Sequence, residues 1–195
     1  MFCELDGRAT NWIPDRQFWP KLIYDFYYIL ILKLETNMQK VSIFVDVQNI
    51  YYTTKEKYNC NFDYNKFWNQ VTKNRKLITA IAYATSRNNK KQSQFQSILR
   101  AIGFKVKLKP FISRSDGSTK GDWDVGIAID VMEYAQKSDI VILASGDGDF
   151  DLLIKKIKTL YNTRCEIYGV PSLTANSLIK EATIFNPIDE ELLFN

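Results

Sequence analysis

The side chains whose type and spacing suggest chemistry in this chain are carboxylates. Asp46 ends a short apolar run, Val41–Val45 (VSIFV), and is followed by Val47, Gln48 and Asn49. A second apolar run, Ile140–Ala144 (IVILA), leads into Ser145-Gly146-Asp147-Gly148-Asp149. Lys120-Gly121-Asp122-Trp123-Asp124 lies between the two runs in sequence. Carboxylates gathered at one point raise each other's pKa, and they stay ionised together most easily around a cation. An oxygen-only donor set suits Mg²⁺ or Mn²⁺. Such ions activate water and stabilise a phosphoryl transition state.

Composition narrows the alternatives. The 195 residues include no histidine, which removes Ser-His-Asp and Cys-His catalysis, histidine general bases and His-ligated zinc. The three cysteines, Cys3, Cys60 and Cys165, are far apart and form no C-x-x-C. They exclude a zinc ribbon, argue against a disulfide framework and point to a reducing, cytoplasmic location. The apolar fraction of 46% and charged fraction of 25% are those of a globular chain with a real core. The net charge of +4 permits a nucleic-acid partner without requiring one.

These acids need elements to position them. Val41–Val45, Leu77–Ala84 and Ile140–Ala144 read as strands buried on both faces. Phe104–Leu108 alternates apolar residues with Lys105, Lys107 and Lys109, the pattern of a half-exposed outer strand whose lysines guard against edge pairing. Helices are expected over Asn61–Lys73, Gln92–Ile102, Asp122–Gln136, a stretch ending near Leu160, and Thr174–Lys180. Residues 110–120 are expected to form a polar loop. Cys165–Tyr168 and Thr183–Phe185 complete the strands. Strands alternating with helices imply a parallel sheet. The expected fold class is therefore α/β, a three-layer Rossmann-like sheet flanked by helices, occupying residues 38–195.

Residues 1–37 read as an extension of separate character. Its apolar part, Phe18 to Leu34, is short for a membrane span and carries Lys21, Asp25 and Lys33. No membrane association is expected, and an accessory amphipathic segment is the favoured reading. A translation start at Met38, just before the first strand, is the other.

In an open parallel sheet, ligands bind beyond the carboxyl ends of the strands. Asp46, Asp147 and Asp149 fall there, and so does the start of the helix holding Asp124. Asp122 and Asp124 are about 200° apart around a helix. Both therefore cannot face one metal; Asp124 is preferred for the site and Asp122 for the helix cap. Asp130 points about 120° away from Asp124 and is assigned a salt bridge or supporting role. Asp147 and Asp149 also suit a turn and a helix cap. Gly146 and Gly148 are read as allowing a sharp turn beside them. Asn49 is placed to bond a carboxylate or a phosphate, or to cap the next segment. Arg87, Lys90, Lys91, Arg114 and Lys120 occupy loops on the same rim and suit a phosphate-bearing polymer. Tyr51, Tyr52 and Trp123 are candidates for base stacking or for the core.

Three strings together, FVDVQNIYY, KGDWDVGIAIDVM and LASGDGDFDLLI, resemble the NYN domain, in the LabA-like branch of the PIN-like nuclease superfamily. The resemblance spans roughly Val41 to Phe185. It implies a PIN-like fold and a ribonuclease dependent on Mg²⁺ or Mn²⁺. Position by position, it puts the acids on Asp46, Asp124, Asp147 and Asp149, with Asn49 following the first.

The resulting expectation is a metal-dependent endoribonuclease. Asp46, Asp124, Asp147 and Asp149 are its catalytic and metal-binding residues. Asn49, Lys120, Arg87 and Arg114 are its substrate-binding residues. RNA is the expected partner, with DNA as a further substrate class. Two alternatives stay open, a non-catalytic RNA-binding module and a Mg²⁺-dependent phosphohydrolase. The string Asp46-Val47-Gln48 lacks the second Asp and the Thr of haloacid-dehalogenase-type phosphatases. A nucleotide binder is disfavoured, since neither G-x-G-x-x-G nor a Walker A sequence occurs.

Overall fold

Val41–Val45 forms the buried middle of strand β1 (Gln39–Asp46), whose last six residues are all buried. The computed structural model describes residues 23, 25, 29, 38–86, 90–110, 112–113, 119–120 and 122–194. The chain divides into two compact units, Met1–Met38 and Gln39–Asn195. In the first, Ile23, Asp25 and Ile29 are helical; the rest of the extension discussed above lies outside the described residues. No helix among the described residues is long and apolar enough to cross a membrane.

The second unit runs β1, α1 (Val47–Tyr58), α2 (Tyr64–Thr72), β2 (Arg75–Ser86), α3 (Lys90–Ile102), β3 (Lys105–Pro110), β4 (Ile112–Ser113) and β5 (Thr119–Lys120). It continues with α4 (Asp124–Ala135), β6 (Ile140–Ala144), α5 (Asp151–Tyr161), β7 (Arg164–Gly169), α6 (Asn176–Glu181) and β8 (Ile184–Pro187). Short 3-10 turns lie at Gly148–Phe150, Pro171–Leu173 and Glu190–Leu192. Six strands form one sheet in the order β3-β2-β1-β6-β7-β8. Every neighbouring pair in it is parallel. This is the α/β architecture expected from the alternation of apolar runs with helices.

Successive side chains of a strand point to opposite faces, so each buried strand feeds two cores. Ile43, Val45 and Ile142 pack with Ile50 of α1, Phe67 of α2 and Leu99 of α3. Phe44, Val141 and Leu143 pack with Ile127 and Val131 of α4, Ile154 and Ile157 of α5 and Leu178 of α6. Helices thus cover both faces. The strand order reverses direction between β1 and β6, and a crevice opens beyond the carboxyl ends at such a point.

Several sequence expectations shift. Helix α1 was not evident in the sequence, because VQNIYYTTKEKY buries only Val47, Ile50 and Thr54 and is otherwise polar or aromatic. Helix α2 starts at Tyr64 rather than Asn61. Asp63 caps it, accepting the Asn65 and Lys66 N–H groups at 2.9 and 3.1 Å, and Phe62 instead bridges to Leu193. Residues 110–120 are not wholly loop, since β4 and β5 pair in antiparallel fashion. Helix α4 starts at Asp124. Trp123 holds its cap position without a side-chain cap bond, so Asp122 is not the cap and lies exposed.

Strand β3 is an outer strand, as its lysines suggest. Two of those lysines also reach α4 or the residues just ahead of it. Lys107 Nζ lies 2.6 Å from Asp130 Oδ2, and Lys109 Nζ donates to the Asp122 carbonyl at 2.7 Å. The buried Tyr83 hydroxyl donates to the same Asp130 oxygen at 2.5 Å. Asp130 therefore anchors α4 to β2 and β3, the salt-bridge role expected for it.

Candidate metal centre

Each acid is fixed by its own local structure. Asp46 closes β1 and caps α1. Its Oδ1 accepts the Gln48 and Asn49 N–H groups, both at 3.2 Å. Capping of this kind satisfies helix donors that have no partner within the helix. Asp147 caps the turn Gly148–Phe150, its Oδ1 accepting the Asp149 N–H at 3.0 Å. The Asp147 N–H in turn donates to Ser145 Oγ at 3.2 Å. Asp124 is the first residue of α4. Just ahead of it, Trp123 Nε1–H donates to the Ala84 carbonyl at 2.9 Å. The Trp123 ring lies 5.3 Å from Tyr83, with Lys109 Nζ 5.5 Å over its centroid.

The strand ends are tied together directly. Asn49 Oδ1 accepts the Gly146 N–H at 2.8 Å, and the Gly146 carbonyl accepts the Ala175 N–H at 2.9 Å. Gly146 and Gly148 do not serve a left-handed turn, since Gly103 is the glycine with positive φ among the described residues. They serve close packing instead. A Cβ on Gly146 would sit 2.8 Å from the Leu173 carbonyl oxygen, and one on Gly148 would sit 3.0 Å from Ala175 Cβ.

The outcome is a cluster of carboxylates. Asp124, Asp147 and Asp149 each offer an oxygen, and these three atoms lie within 4.8 Å of one another. Asp124 and Asp147 are half-buried and Asp149 is exposed, so the group opens to solvent. Asp46 is not among the three but lies close behind them. Burial, more than anything else, pushes its pKa up to about 6. The Asn49 N–H opposes this, the Asp124 and Asp147 carboxylates add to it, and the Gln48 N–H opposes it again. Asp124 is also raised, first by burial and then by Asp122, Asp147 and Asp149, with Lys109 pulling the other way.

The donor set fits a divalent cation. Three carboxylate oxygens that face one another, with no His or Cys among them, suit a hard ion that prefers oxygen. Burial and mutual repulsion have already raised one of them, and a cation would reverse that cost. The Cys165 thiol is buried and pushed up to about 12.

A model of the NYN domain matches residues 40–189. This chain belongs to the NYN domain family. The NYN match contains all four acids and Asn49. Among relatives, the Low amplitude and bright protein LabA of Synechococcus elongatus is 29% identical over 128 residues, covering 61% of this chain and 68% of LabA. A crystal structure of a protein of unknown function from Vibrio parahaemolyticus is 52% identical. It superposes with a TM-score of 0.78, covering 80% of this chain and 97% of that one. The fold of this NYN domain is thus shared with a solved structure of high identity.

The remaining candidate residues divide. Asn49 spends its side-chain oxygen on Gly146, which makes it a bracket between β1 and β6. Lys120 ends the short strand β5, and its side chain lies outside the described residues, as do Arg87 and Arg114. Tyr51 and Tyr52 are exposed, whereas Trp123 packs on Tyr83. Sequence reading missed the parts played by Lys109, Ser145 and the 171–175 segment. Only the paired glycines of Ser-Gly-Asp-Gly-Asp hinted at a segment packed that closely.

Proposed function

We propose that this NYN domain is a metal-dependent nuclease that hydrolyses RNA phosphodiesters. The observation that carries this reading is the convergence of Asp124, Asp147 and Asp149 within 4.8 Å at the point where the sheet reverses direction. Asp124, Asp147 and Asp149 would hold Mg²⁺ or Mn²⁺. Once bound, the ion would supply Lewis-acid charge and a water of lowered pKa.

The rest is done by the chain's own residues. Asp46 adds negative charge behind the cluster while fixing the start of α1. Asn49 holds the Asp147 loop against that helix. Lys109 and Trp123 fix the start of α4, and with it the position of Asp124. Lys120, Arg87 and Arg114 are assigned to the phosphate backbone of the substrate, where cations contribute most to affinity. The expected location is the cytoplasm, in keeping with the free Cys60 and Cys165 thiols.

The test is cleavage of labelled single-stranded and structured RNA, with matched DNA, in Mg²⁺, Mn²⁺ or EDTA. Asp147→Asn is assayed alongside. Asparagine keeps the oxygen that accepts the Asp149 N–H, so the variant should fold and lose metal-dependent cleavage. Cleavage retained in pure Asp147→Asn ends the catalytic reading. RNA bound but not cut under any divalent ion replaces it with a binding module. Phosphate released from small esters replaces it with a phosphohydrolase.

A further inference from the structure

We infer that Tyr51 and Tyr52 form a stacking subsite for an unpaired nucleobase of the RNA strand whose phosphodiester lies at the carboxylates. The inference deepens the nuclease reading above and rests on it. Helix α1 turns Val47, Ile50 and Thr54 into the core. Tyr51 and Tyr52 are left 50% and 56% exposed. Core packing therefore does not account for them, although each aromatic ring has a large area to bury. They are also mutually arranged, with ring centroids 5.3 Å apart and planes at 72°. One ring edge braces the other and leaves aromatic surface to solvent.

Their place on the helix ties them to the site. Tyr52 is three residues beyond Asn49, and residues so spaced are neighbours on a helix surface. Asn49 is bonded to Gly146, and Asp147 follows. Tyr52 thus stands one turn along α1 from the residue that clamps the carboxylate loop. Lys55 lies three residues beyond Tyr52 and four beyond Tyr51, and Lys57 follows in the last turn. Aromatic faces followed by cations match a strand of nucleotides, where bases stack and phosphates pair. An apolar protein partner would instead require a broader apolar stripe. Around the tyrosines, the helix carries Gln48, Thr53, Lys55 and Glu56.

Stacking on a side chain requires a base freed from a duplex. The substrate class this subsite selects is therefore single-stranded or looped RNA. The experiment measures binding by fluorescence anisotropy in EDTA, so that no turnover intervenes. The probes are a short labelled oligouridylate and a chain of the same length made of abasic nucleotides. Wild-type protein should bind the oligouridylate at least about tenfold more tightly than the abasic chain. Tyr51→Ala/Tyr52→Ala should remove that difference, and Tyr52→Trp should keep it.

Equal binding of both probes by wild-type protein overturns the subsite. So does an unchanged preference in the double variant, or no binding of either probe. The nuclease reading is scored separately, by cleavage in Mn²⁺. Wild-type cleavage with unchanged KM in the double variant sinks the subsite alone. A base-dependent affinity without any cleavage sinks the nuclease alone.

Discussion

Asn49 and Gly146, 97 residues apart, are joined by a 2.8 Å hydrogen bond from the Gly146 N–H to Asn49 Oδ1. The bond links the helix that follows β1 to the loop that follows β6, the two strands between which the sheet reverses direction, and it fixes the loop that carries Asp147. Helix α1 and the Asp147 loop are therefore joined directly.

Replacing Asn49 with Ala leaves the Gly146 N–H without its acceptor. A buried donor so orphaned costs about 1–3 kcal/mol. Urea unfolding of Asn49→Ala should show a loss of that size. Mn²⁺ affinity, read by calorimetry, should fall with it because Asp147 is no longer held. Unchanged metal affinity would show that the loop holds its shape without the bracket.

Asp46 gives a pH-dependent prediction. Its folded pKa of about 6 lies above the ordinary carboxylate value of 3.8. The folded state therefore binds the proton more tightly than the unfolded one. The ionised carboxylate costs stability above pH 6, and the cost vanishes below about pH 4. In EDTA, Asp46→Asn should be more stable than wild type at pH 8 by roughly 2–3 kcal/mol. The difference should shrink as pH falls from 6 toward 4. Thermal melts across that range check it, and a difference independent of pH would refute the assignment.

Gly146 and Gly148 should respond differently to a methyl group. The Cβ of Gly146→Ala meets the Leu173 carbonyl at 2.8 Å and Thr174 Oγ1 at 3.0 Å. Backbone must move there, which costs about 1–3 kcal/mol or more. The Cβ of Gly148→Ala meets the Ala175 methyl at 3.0 Å, a contact relieved by a smaller shift. Chemical denaturation should rank Gly146→Ala as the less stable variant.

Asp130 tests how α4 is held. Asp130→Ala removes the acceptor of the buried Tyr83 hydroxyl and the partner of Lys107. The orphaned hydroxyl costs about 1–3 kcal/mol. The Lys107 contact adds little, because that lysine is half-exposed and screened by solvent. Asp130→Asn keeps an acceptor for Tyr83 and should recover most of the stability. Equal losses in both variants would mean that the charge, not the hydrogen bond, matters.

Much of this molecule is legible in its sequence. Apolar runs bounded by turn residues announced β1, β2 and β6, because a strand buried on both faces has no polar side to show. The acids at the ends of those runs followed from the rule that parallel sheets bind at their carboxyl ends. The choice of Asp124 over Asp122 rests on a helix that would include both, whereas the helix begins at Asp124 and leaves Asp122 outside it. Helix α1 escaped notice because its buried stripe is narrow and its first half, with Asn49, Tyr51, Tyr52 and Thr53, is rich in weak helix formers.

What only the tertiary structure decided was proximity. Sequence could place four acids on one rim. It could not show that Asp124, Asp147 and Asp149 come within 4.8 Å while Asp46 stands behind them. Those separations depend on contacts between residues distant in sequence: Asn49 with Gly146, Trp123 with Ala84, Lys109 with Asp122. Local spacing sets the direction of a side chain from its own helix or strand. The distance between two such elements is set by how the whole core packs, and no single stretch of sequence contains it.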